Sequence, residues 1–410
     1  MVLSEVKTNA FGGNMTFRIL SLDGGGAWAL IQVRALMDLY GGETSGNEIL
    51  QEYDLVAANS GGSLVLAGLV ENLKLSELLR LFLDERKRKS IFSPTTSIGD
   101  DVLRKLTGIG PKYSASAKLP AIERLLPRTG AKALQGITAS ISGPLGDPVR
   151  LLIVGFDYER NRAVYFRSVE AKGPGLGTGA PAPTQVTLAG AVHGSTNAPI
   201  NYFDAPASLP FYLDRLWDGG ITGNNNPVLA AAVEALVCQV APVDLRVLSI
   251  GTATVNLPLA APGAAPSPFQ VARPASSLTG DLAKLATAIL DDPPDVASFI
   301  VHAMTGGGGG MIAPTISRVV RMNPLITPRI VDGQLAAPEG WTPAQFQYLC
   351  NLELDAVEQS QIEYIEDWCQ LWLQDAVPNQ PLRMKGETME VEVGYGRYGE
   401  ARKAWSVLFT

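Results

Sequence analysis

The stretch "LVAANSGGSLVLAGLV", residues 55–70, joins an apolar strand pattern to an apolar helix pattern through a polar turn at Ser60. A serine at such a turn projects its hydroxyl beyond the carboxyl end of the sheet, and Gly61 and Gly62 let the backbone turn without a clash. The start of the helix directs free N–H groups and its positive dipole end to the same point. The stretch predicts either a nucleophilic serine or a serine that only caps the helix.

The same order of strand, turn and helix occurs earlier in the chain. Residues 17–23 ("FRILSLD") predict a buried strand, the triplet Gly24, Gly25 and Gly26 follows, and "AWALIQVRALMDLY" predicts a helix. Further strands are predicted at residues 149–157, 163–169, 211–218, 245–253 and 316–323. Because helical patterns separate several of these strands, we predict an α/β fold, a three-layer α/β/α sandwich around a mainly parallel or mixed sheet.

The C-terminal part of the chain predicts helices. Thr342, Pro343 and Gln345 have the spacing of a capping box with proline at the first helical position. Apolar residues then recur at helical spacing from Ile362 to Trp372. We therefore expect residues 326–410 to be a helical extension packed on the core. The Gly/Pro-rich stretches 172–184 and 257–268 predict loops, and "TGGGGGM" at 305–311 predicts a turn rather than a phosphate loop.

Composition limits the partners of the protein. The 410 residues carry 33 Lys and Arg against 40 Asp and Glu, a net charge of −7 that disfavours nucleic-acid binding. The three cysteines share no metal-ligand spacing and fit a reducing compartment, and no metal or organic cofactor is indicated. The first residues lack a secretory pattern, and no apolar run is long enough to span a bilayer. We expect a cytoplasmic protein that at most touches a membrane surface.

The candidate base for Ser60 is a carboxylate rather than a histidine. The chain has only two histidines, His193 and His302, and both fit structural roles in apolar surroundings. The segment "LWDGGITGNNNP" places Asp218 at a strand end, followed by Gly219 and Gly220, where α/β proteins hold working residues. The alternative is a simple Asp-Gly turn. In the same segment, Asn226 is the predicted N-cap of a helix with Pro227 at its first position.

An oxyanion site is predicted at "SLDGGGAW", where three glycines after Asp23 expose backbone N–H groups before a helix. In this order, "SLDGGGAWAL", "AANSGGSLVLAGL" and "LWDGGITGNNNP" resemble the patatin-like phospholipase family, whose members are lipid acyl hydrolases. Segments 111–126, 195–203, 247–253 and 316–324 resemble further landmarks of the family. The resemblance implies a catalytic domain over residues 15–325.

The resemblance also implies the roles of individual residues. Ser60 would be the nucleophile and Asp218 its base, a dyad without histidine. Gly24, Gly25 and Gly26 would form the oxyanion hole together with the N–H of Gly61. The remaining motif positions are Asp23, Ala58, Gly62, Gly219 and Gly220. The substrate would be a membrane phospholipid or another fatty-acyl ester, attacked by Ser60 to give an acyl-enzyme, with no cofactor.

Three positions depart from the family pattern. Ala27-Trp28-Ala29 follows the glycine triplet, where the family usually has a cation; Ala58 replaces the first glycine of the serine motif; and the asparagine triplet adds a residue after Asp218. These departures leave open a weak or inactive member that binds lipid or a protein, and an esterase or thioesterase that never meets a bilayer. The basic residues 86–89 predict either a patch for anionic headgroups or cations that oppose a helix dipole.

Overall fold

The computed structural model describes residues 16–95, 110–169, 186–209, 213–273, 278–306, 317–384 and 392–409. The predicted loop at 172–184 and residues 307–311 of the glycine run lie outside these ranges.

The twelve strands of the described residues build one large sheet and two small ones. In chain order they are β1 Phe17–Leu22, β2 Leu55–Asn59, β3 Arg150–Asp157, β4 Arg162–Arg167, β5 Ala207–Leu209, β6 Leu213–Asp218, β7 Leu245–Ile250, β8 Thr254–Val255, β9 Val319–Met322, β10 Leu325–Ile326, β11 Arg329–Val331 and β12 Gln334–Ala336. The large sheet has the order β5-β6-β3-β2-β1-β7-β9, and β4 also pairs with β3. Strands β3, β2, β1, β7 and β9 run parallel, whereas β4 and β6 pair antiparallel with β3, and β5 pairs antiparallel with β6.

Twelve α-helices of the described residues connect and flank these strands. They are α1 Leu30–Tyr40, α2 Gly46–Gln51, α3 Ser60–Val70, α4 Leu75–Leu83, α5 Glu85–Ile91, α6 Ala115–Leu125, α7 Leu188–Ser195, α8 Val228–Val237, α9 Leu278–Met304, α10 Pro343–Cys350, α11 Gln359–Leu373 and α12 Tyr398–Phe409. The predicted α/β fold with a mixed sheet and flanking helices is confirmed.

The two faces of the sheet bury separate apolar clusters. Leu20 and Leu22 of β1 belong to the larger cluster, while Ile19 of the same strand belongs to the other, as the alternation of side chains along a strand requires. The larger cluster includes buried residues of α1, α3 and α11, among them Trp368 and Trp372. The other cluster includes residues of α8 and α9. The C-terminal helix α11 therefore packs into the same core as the sheet.

Two helix starts test the capping analysis. The predicted capping box at Thr342 is present: the Thr342 hydroxyl accepts the Gln345 N–H, and the Gln345 side chain accepts the Thr342 N–H. The start predicted at Asn226 was wrong by one residue, because Pro227 is the N-cap of α8. The Asn226 Oδ1 still accepts the Val228 N–H at 3.1 Å, and its amide donates to Ser298 Oγ at 2.8 Å, so the side chain also ties α8 to α9.

The sheet register brings the loops after β1, β2 and β7 to one edge. Leu22 is paired with Ala58 on one side and with Ile250 on the other. Strand β6 is antiparallel to β3 and pairs only with its last residues. In this pairing Gly155 of β3 lies opposite Asp218. Since Val154 lies opposite Asn59, the end of β6 comes to the same edge as the end of β2.

Candidate active site

Ser60 is the first residue of α3 and has a left-handed backbone with φ of 46°. A non-glycine residue in this region is strained, and such strain is common where a turn holds a working side chain. Its N–H donates to Ser195 Oγ at 2.9 Å, and its carbonyl accepts from Ser63 Oγ at 2.6 Å. Neighbours in chain and space therefore hold Ser60 in the conformation of a nucleophile elbow.

Gly61 and Gly62 are needed for space rather than for backbone freedom. The sequence suggested that they supply the turn, but the positive φ belongs to Ser60, and neither glycine has one. A Cβ on Gly61 would lie 2.4 Å from the Gly26 carbonyl oxygen, and one on Gly62 would lie 2.4 Å from the Leu22 carbonyl oxygen. The glycines thus let the elbow pack directly against the loop after β1.

Asp218 ends β6, and its carboxylate accepts hydrogen bonds from neutral groups. The Gly220 N–H donates to its Oδ1 at 2.8 Å, and the Asn59 amide donates to the same oxygen at 3.2 Å. Burial raises the pKa of Asp218, and the interaction with the Ser60 side chain opposes this rise most strongly. The structure therefore brings Ser60 and Asp218, 158 residues apart in the sequence, into contact.

Gly219 also depends on its surroundings, because a Cβ there would lie 2.5 Å from Asn59 Oδ1. Asn59 therefore contacts both members of the motif after β6 while preceding Ser60 in the chain. The sequence analysis assigned no role to Asn59. Its place directly before Ser60 in the chain was the available signal.

The glycine loop lies directly beside the elbow. A Cβ on Gly24 would come within 3.0 Å of the Ser60 Cβ, and Gly26 has a φ of 56°. The Gly24 N–H donates to the Asn225 carbonyl at 2.8 Å and is therefore occupied. Within the described ranges, no acceptor is found for the N–H groups of Gly25, Gly26 and Gly61, so these three are the available donors.

A buried ion pair holds Asp23, the residue that precedes the glycine loop. Arg321 of β9 donates to Asp23 Oδ2 at 2.6 Å and to Ser249 Oγ at 2.8 Å, and both Arg321 and Asp23 are buried. Burial raises the pKa of Asp23 to about 6, although the guanidinium lowers it. Arg321 lies in a segment that the sequence analysis noted without giving it a role.

The departures from the family pattern have structural explanations. The Trp28 indole is buried and donates to the Glu353 carbonyl at 3.1 Å, and the Ala27 N–H donates to the Leu354 carbonyl at 2.9 Å. The loop is thus held by the C-terminal part of the chain. Ala58 is fully buried within β2, where its methyl joins the larger apolar cluster.

Among the described residues, neither histidine is hydrogen-bonded to Ser60 or Asp218. Burial lowers the pKa of His193 to about 2, helped by the charge of Lys118, so its imidazole is neutral. His302 lies on α9, and its Nδ1 is 2.9 Å from Ser317 Oγ. His302 thus has the hydrogen-bonded structural role expected of both histidines, whereas the buried Nδ1 of His193 has no hydrogen-bond partner among the described residues.

An apolar pocket opens beside the glycine loop. Gly26 and Ala27 form part of its wall, and the remaining wall comes from α3, α4, α5 and α6. Its apolar lining includes Leu64, Ala67, Leu78, Phe82, Ile122 and Leu126. Since Leu64 follows Ser60 by one helical turn, the pocket leads away from the serine between these helices.

The basic residues 86–89 lie on α5 and are only partly available to a membrane. Arg88 is buried and donates to the carbonyls of Phe82 and Val357, while Lys89 pairs with Glu85 and Glu358. No group of metal-ligating side chains occurs in the described ranges. Of the helices described, none has both the length and the apolar composition that crossing a bilayer requires.

A mixed α/β sheet with a strained serine at the end of β2 and a buried aspartate at the end of β6 defines a protein of the serine-elbow α/β class. The model of the patatin-like phospholipase family matches residues 20–232, just over half of the chain, and the chain belongs to this family. The predicted family resemblance is confirmed. No curated protein matches the chain. Among solved structures it is similar to VipD from Legionella pneumophila, with 12% identity, a TM-score of 0.32, and coverage of 87% of this chain and 67% of that chain.

Proposed function

We propose that the protein hydrolyses fatty-acyl esters with a Ser60–Asp218 dyad. The observation that carries the proposal is the interaction of the Ser60 side chain with the buried Asp218 carboxylate at the edge where the glycine loop offers free N–H groups. The family acts on lipid acyl esters, which agrees with this arrangement. We also propose that residues 15–325 form the catalytic domain and that residues 326–410 extend it.

In this mechanism Asp218 takes the proton from Ser60 as the serine oxygen attacks the acyl carbonyl. The negative charge that develops on the carbonyl oxygen is stabilised by N–H groups of Gly25, Gly26 and Gly61 and by the N-terminus of α3. The intermediate collapses to an acyl-enzyme as the alcohol leaves with the proton. Water, activated by Asp218, then releases the fatty acid and restores the serine.

The lining of the apolar pocket suits the acyl part of such a substrate. It is mainly apolar and includes Gly26, one of the donors that would hold the carbonyl oxygen. An acyl chain placed there removes apolar surface from water at about 0.8 kcal/mol per methylene. We therefore propose a fatty-acyl ester as the substrate class, whether or not a membrane supplies it.

Replacement of Ser60 by alanine tests the proposal. Ser60→Ala should abolish both hydrolysis of p-nitrophenyl esters and labelling by a fluorophosphonate, while the melting temperature stays near that of the wild type. Ser116→Ala, at an exposed serine in the first turn of α6, is the matched control and should still be labelled. A wild-type protein that is folded but neither labelled nor active would support the alternative of a lipid- or protein-binding member.

The pocket is tested by filling its entrance. Leu64→Trp should lower kcat/KM for long-chain esters about tenfold or more relative to acetate esters, since the indole occupies the space for the first methylenes. Leu83→Trp is a control at a half-buried leucine outside the pocket lining. Equal losses for short and long esters in Leu64→Trp would show that the acyl chain lies elsewhere.

A further inference from the structure

Asn59 is the N-cap residue of α3, yet within the described chain its side chain makes no capping hydrogen bond. An asparagine at this position ordinarily accepts the backbone N–H of the second or third helical residue, which here are Gly61 and Gly62. The Asn59 side chain is instead fully buried at the edge of the sheet. The local sequence therefore does not explain this residue, and the explanation lies in its contacts with distant segments.

The amide group of Asn59 contacts the proposed base. Its Nδ2 donates to Asp218 Oδ1 at 3.2 Å, and the same nitrogen lies 3.4 Å from Asn225 Oδ1. The backbone carbonyl of Asn225 accepts the Gly24 N–H at 2.8 Å. One amide group thus contacts both the carboxylate and the residue that holds the glycine loop.

The side-chain oxygen of Asn59 faces Ser195, the last residue of α7. Ser195 Oγ lies 3.5 Å from Asn59 Oδ1 and accepts the Ser60 N–H at 2.9 Å. A hydroxyl can accept one hydrogen bond and donate another, so the buried Ser195 can serve both neighbours at once. Asn59 is thereby linked to the left-handed backbone of Ser60 through a side chain of another helix.

Two glycines leave room for the Asn59 side chain. A Cβ on Gly24 would lie 2.8 Å from Asn59 Nδ2, and a Cβ on Gly219 would lie 2.5 Å from Asn59 Oδ1. Both positions are too close for a larger residue. The glycine loop and the motif after β6 therefore enclose the amide group and restrict where it can lie.

We propose that Asn59 is a positioning residue for the hydrolysis, which orients the Asp218 carboxylate through its amide group and holds the backbone of Ser60 through Ser195. The inference rests on the proposed function. It also explains why the side chain does not cap α3, because a capping bond to Gly61 would occupy an N–H group that is available to the substrate carbonyl oxygen.

The first test is the kcat of Asn59→Leu for a short-chain p-nitrophenyl ester, counted per serine that a fluorophosphonate labels at completion. Leucine has a similar shape but no polar atom. Since Asn59 is fully buried, its loss should act on the chemical step, so kcat should fall about 10- to 100-fold while KM changes less than about twofold. Asn226→Ala is the matched control, because this buried asparagine bonds to Val228 and Ser298. It should lower the melting temperature and keep kcat per labelled serine.

Asn59→Ser tests the competing role of a helix cap, and it serves if the leucine variant folds poorly. Serine caps a helix about as well as asparagine, but its side chain is one bond shorter and loses the contact with Asp218. A loss of kcat in Asn59→Ser like that in Asn59→Leu supports the positioning role. A folded Asn59 variant whose kcat per labelled serine stays within about twofold of the wild type overturns the proposal.

A double-mutant cycle tests the link through Ser195. Ser195→Ala removes the acceptor of the Ser60 N–H and should lower kcat about tenfold. If both side chains hold the same backbone, Asn59→Leu/Ser195→Ala should lose less than the product of the two single losses. Losses that multiply fully would overturn the link through Ser195. Failure of the proposed function gives a different result, because the wild type itself would then be neither labelled nor active.

Discussion

Asp23 and Asp218 are two buried aspartates at the same edge of the sheet, yet they have different partners. Asp23 forms an ion pair with Arg321 at 2.6 Å, whereas Asp218 accepts hydrogen bonds from Asn59 and Gly220 and interacts with Ser60, and none of these groups is charged. Burial raises the pKa of both carboxyls. The two aspartates differ in the charge of the groups next to the carboxylate.

A guanidinium at hydrogen-bond distance occupies a carboxylate oxygen and stabilises its negative charge, so the acid serves as an anchor. A carboxylate held by neutral donors has no cation bound to it and can take the proton of a neighbouring hydroxyl. Residue type and burial alone would therefore not tell the anchor at Asp23 from the proposed base at Asp218. The nearest cation distinguishes them.

The largest expected effect comes from Asp218→Asn, which keeps the shape of the side chain and removes its proton affinity. We expect kcat/KM for a p-nitrophenyl ester to fall about 10²- to 10⁴-fold, with the fold intact by circular dichroism. His193→Ala and His302→Ala are the controls and should retain substantial activity. An active Asp218→Asn beside an inactive His193→Ala would show that the base has been assigned to the wrong residue.

Loss of the Asp23–Arg321 ion pair should change the stability of the protein rather than its catalytic chemistry. Arg321→Met leaves Asp23 buried without its partner and should lower the free energy of unfolding by about 3–5 kcal/mol in urea denaturation. The matched control is Arg215→Met, which breaks an exposed pair with Glu159 and should cost less than about 1 kcal/mol. Similar losses in both variants would mean that the Asp23 pair is no anchor.

Removing both charges of the anchor sharpens the comparison. The double variant Asp23→Leu/Arg321→Met no longer buries an unpaired charge, so it should recover at least half of the stability that Arg321→Met loses. The same urea titrations measure it. A double variant less stable than Arg321→Met would indicate that Asp23 stabilises the loop by contacts other than the pair.

The smallest expected effect is a pH dependence of stability. Because burial raises the folded-state pKa of Asp218 above its unfolded value, its contribution to stability is fully present at low pH and is lost as the pH rises through the folded pKa. Asp218→Asn should therefore match the wild type near pH 4 and exceed its free energy of unfolding near pH 8. Each unit of pKa difference corresponds to about 1.4 kcal/mol. If the difference in free energy of unfolding between Asp218→Asn and the wild type becomes smaller as the pH rises, Asp218 is not a buried, unpaired carboxylate.

Much of the architecture is determined by the sequence pattern itself. Alternating apolar runs predicted β1, β2, β3 and β7 to within two or three residues, because a strand buried on both faces tolerates few polar side chains. The order of the glycine, serine and aspartate motifs indicated the family. Local chemistry also predicted the capping box at Thr342, because its partners lie three residues apart.

The tertiary structure alone decided which of these residues meet. Asp218 reaches Ser60 because an antiparallel strand pairs with only the end of β3, and no local pattern specifies such a register. The Gly24 N–H is occupied by a carbonyl 201 residues further along the chain, and the Ser60 N–H is held by Ser195, 135 residues further along. A sequence pattern indicates which strand or helix each residue favours locally. Contacts between distant segments, and the pKa shifts that follow from them, arise only when packing removes water and brings charges together.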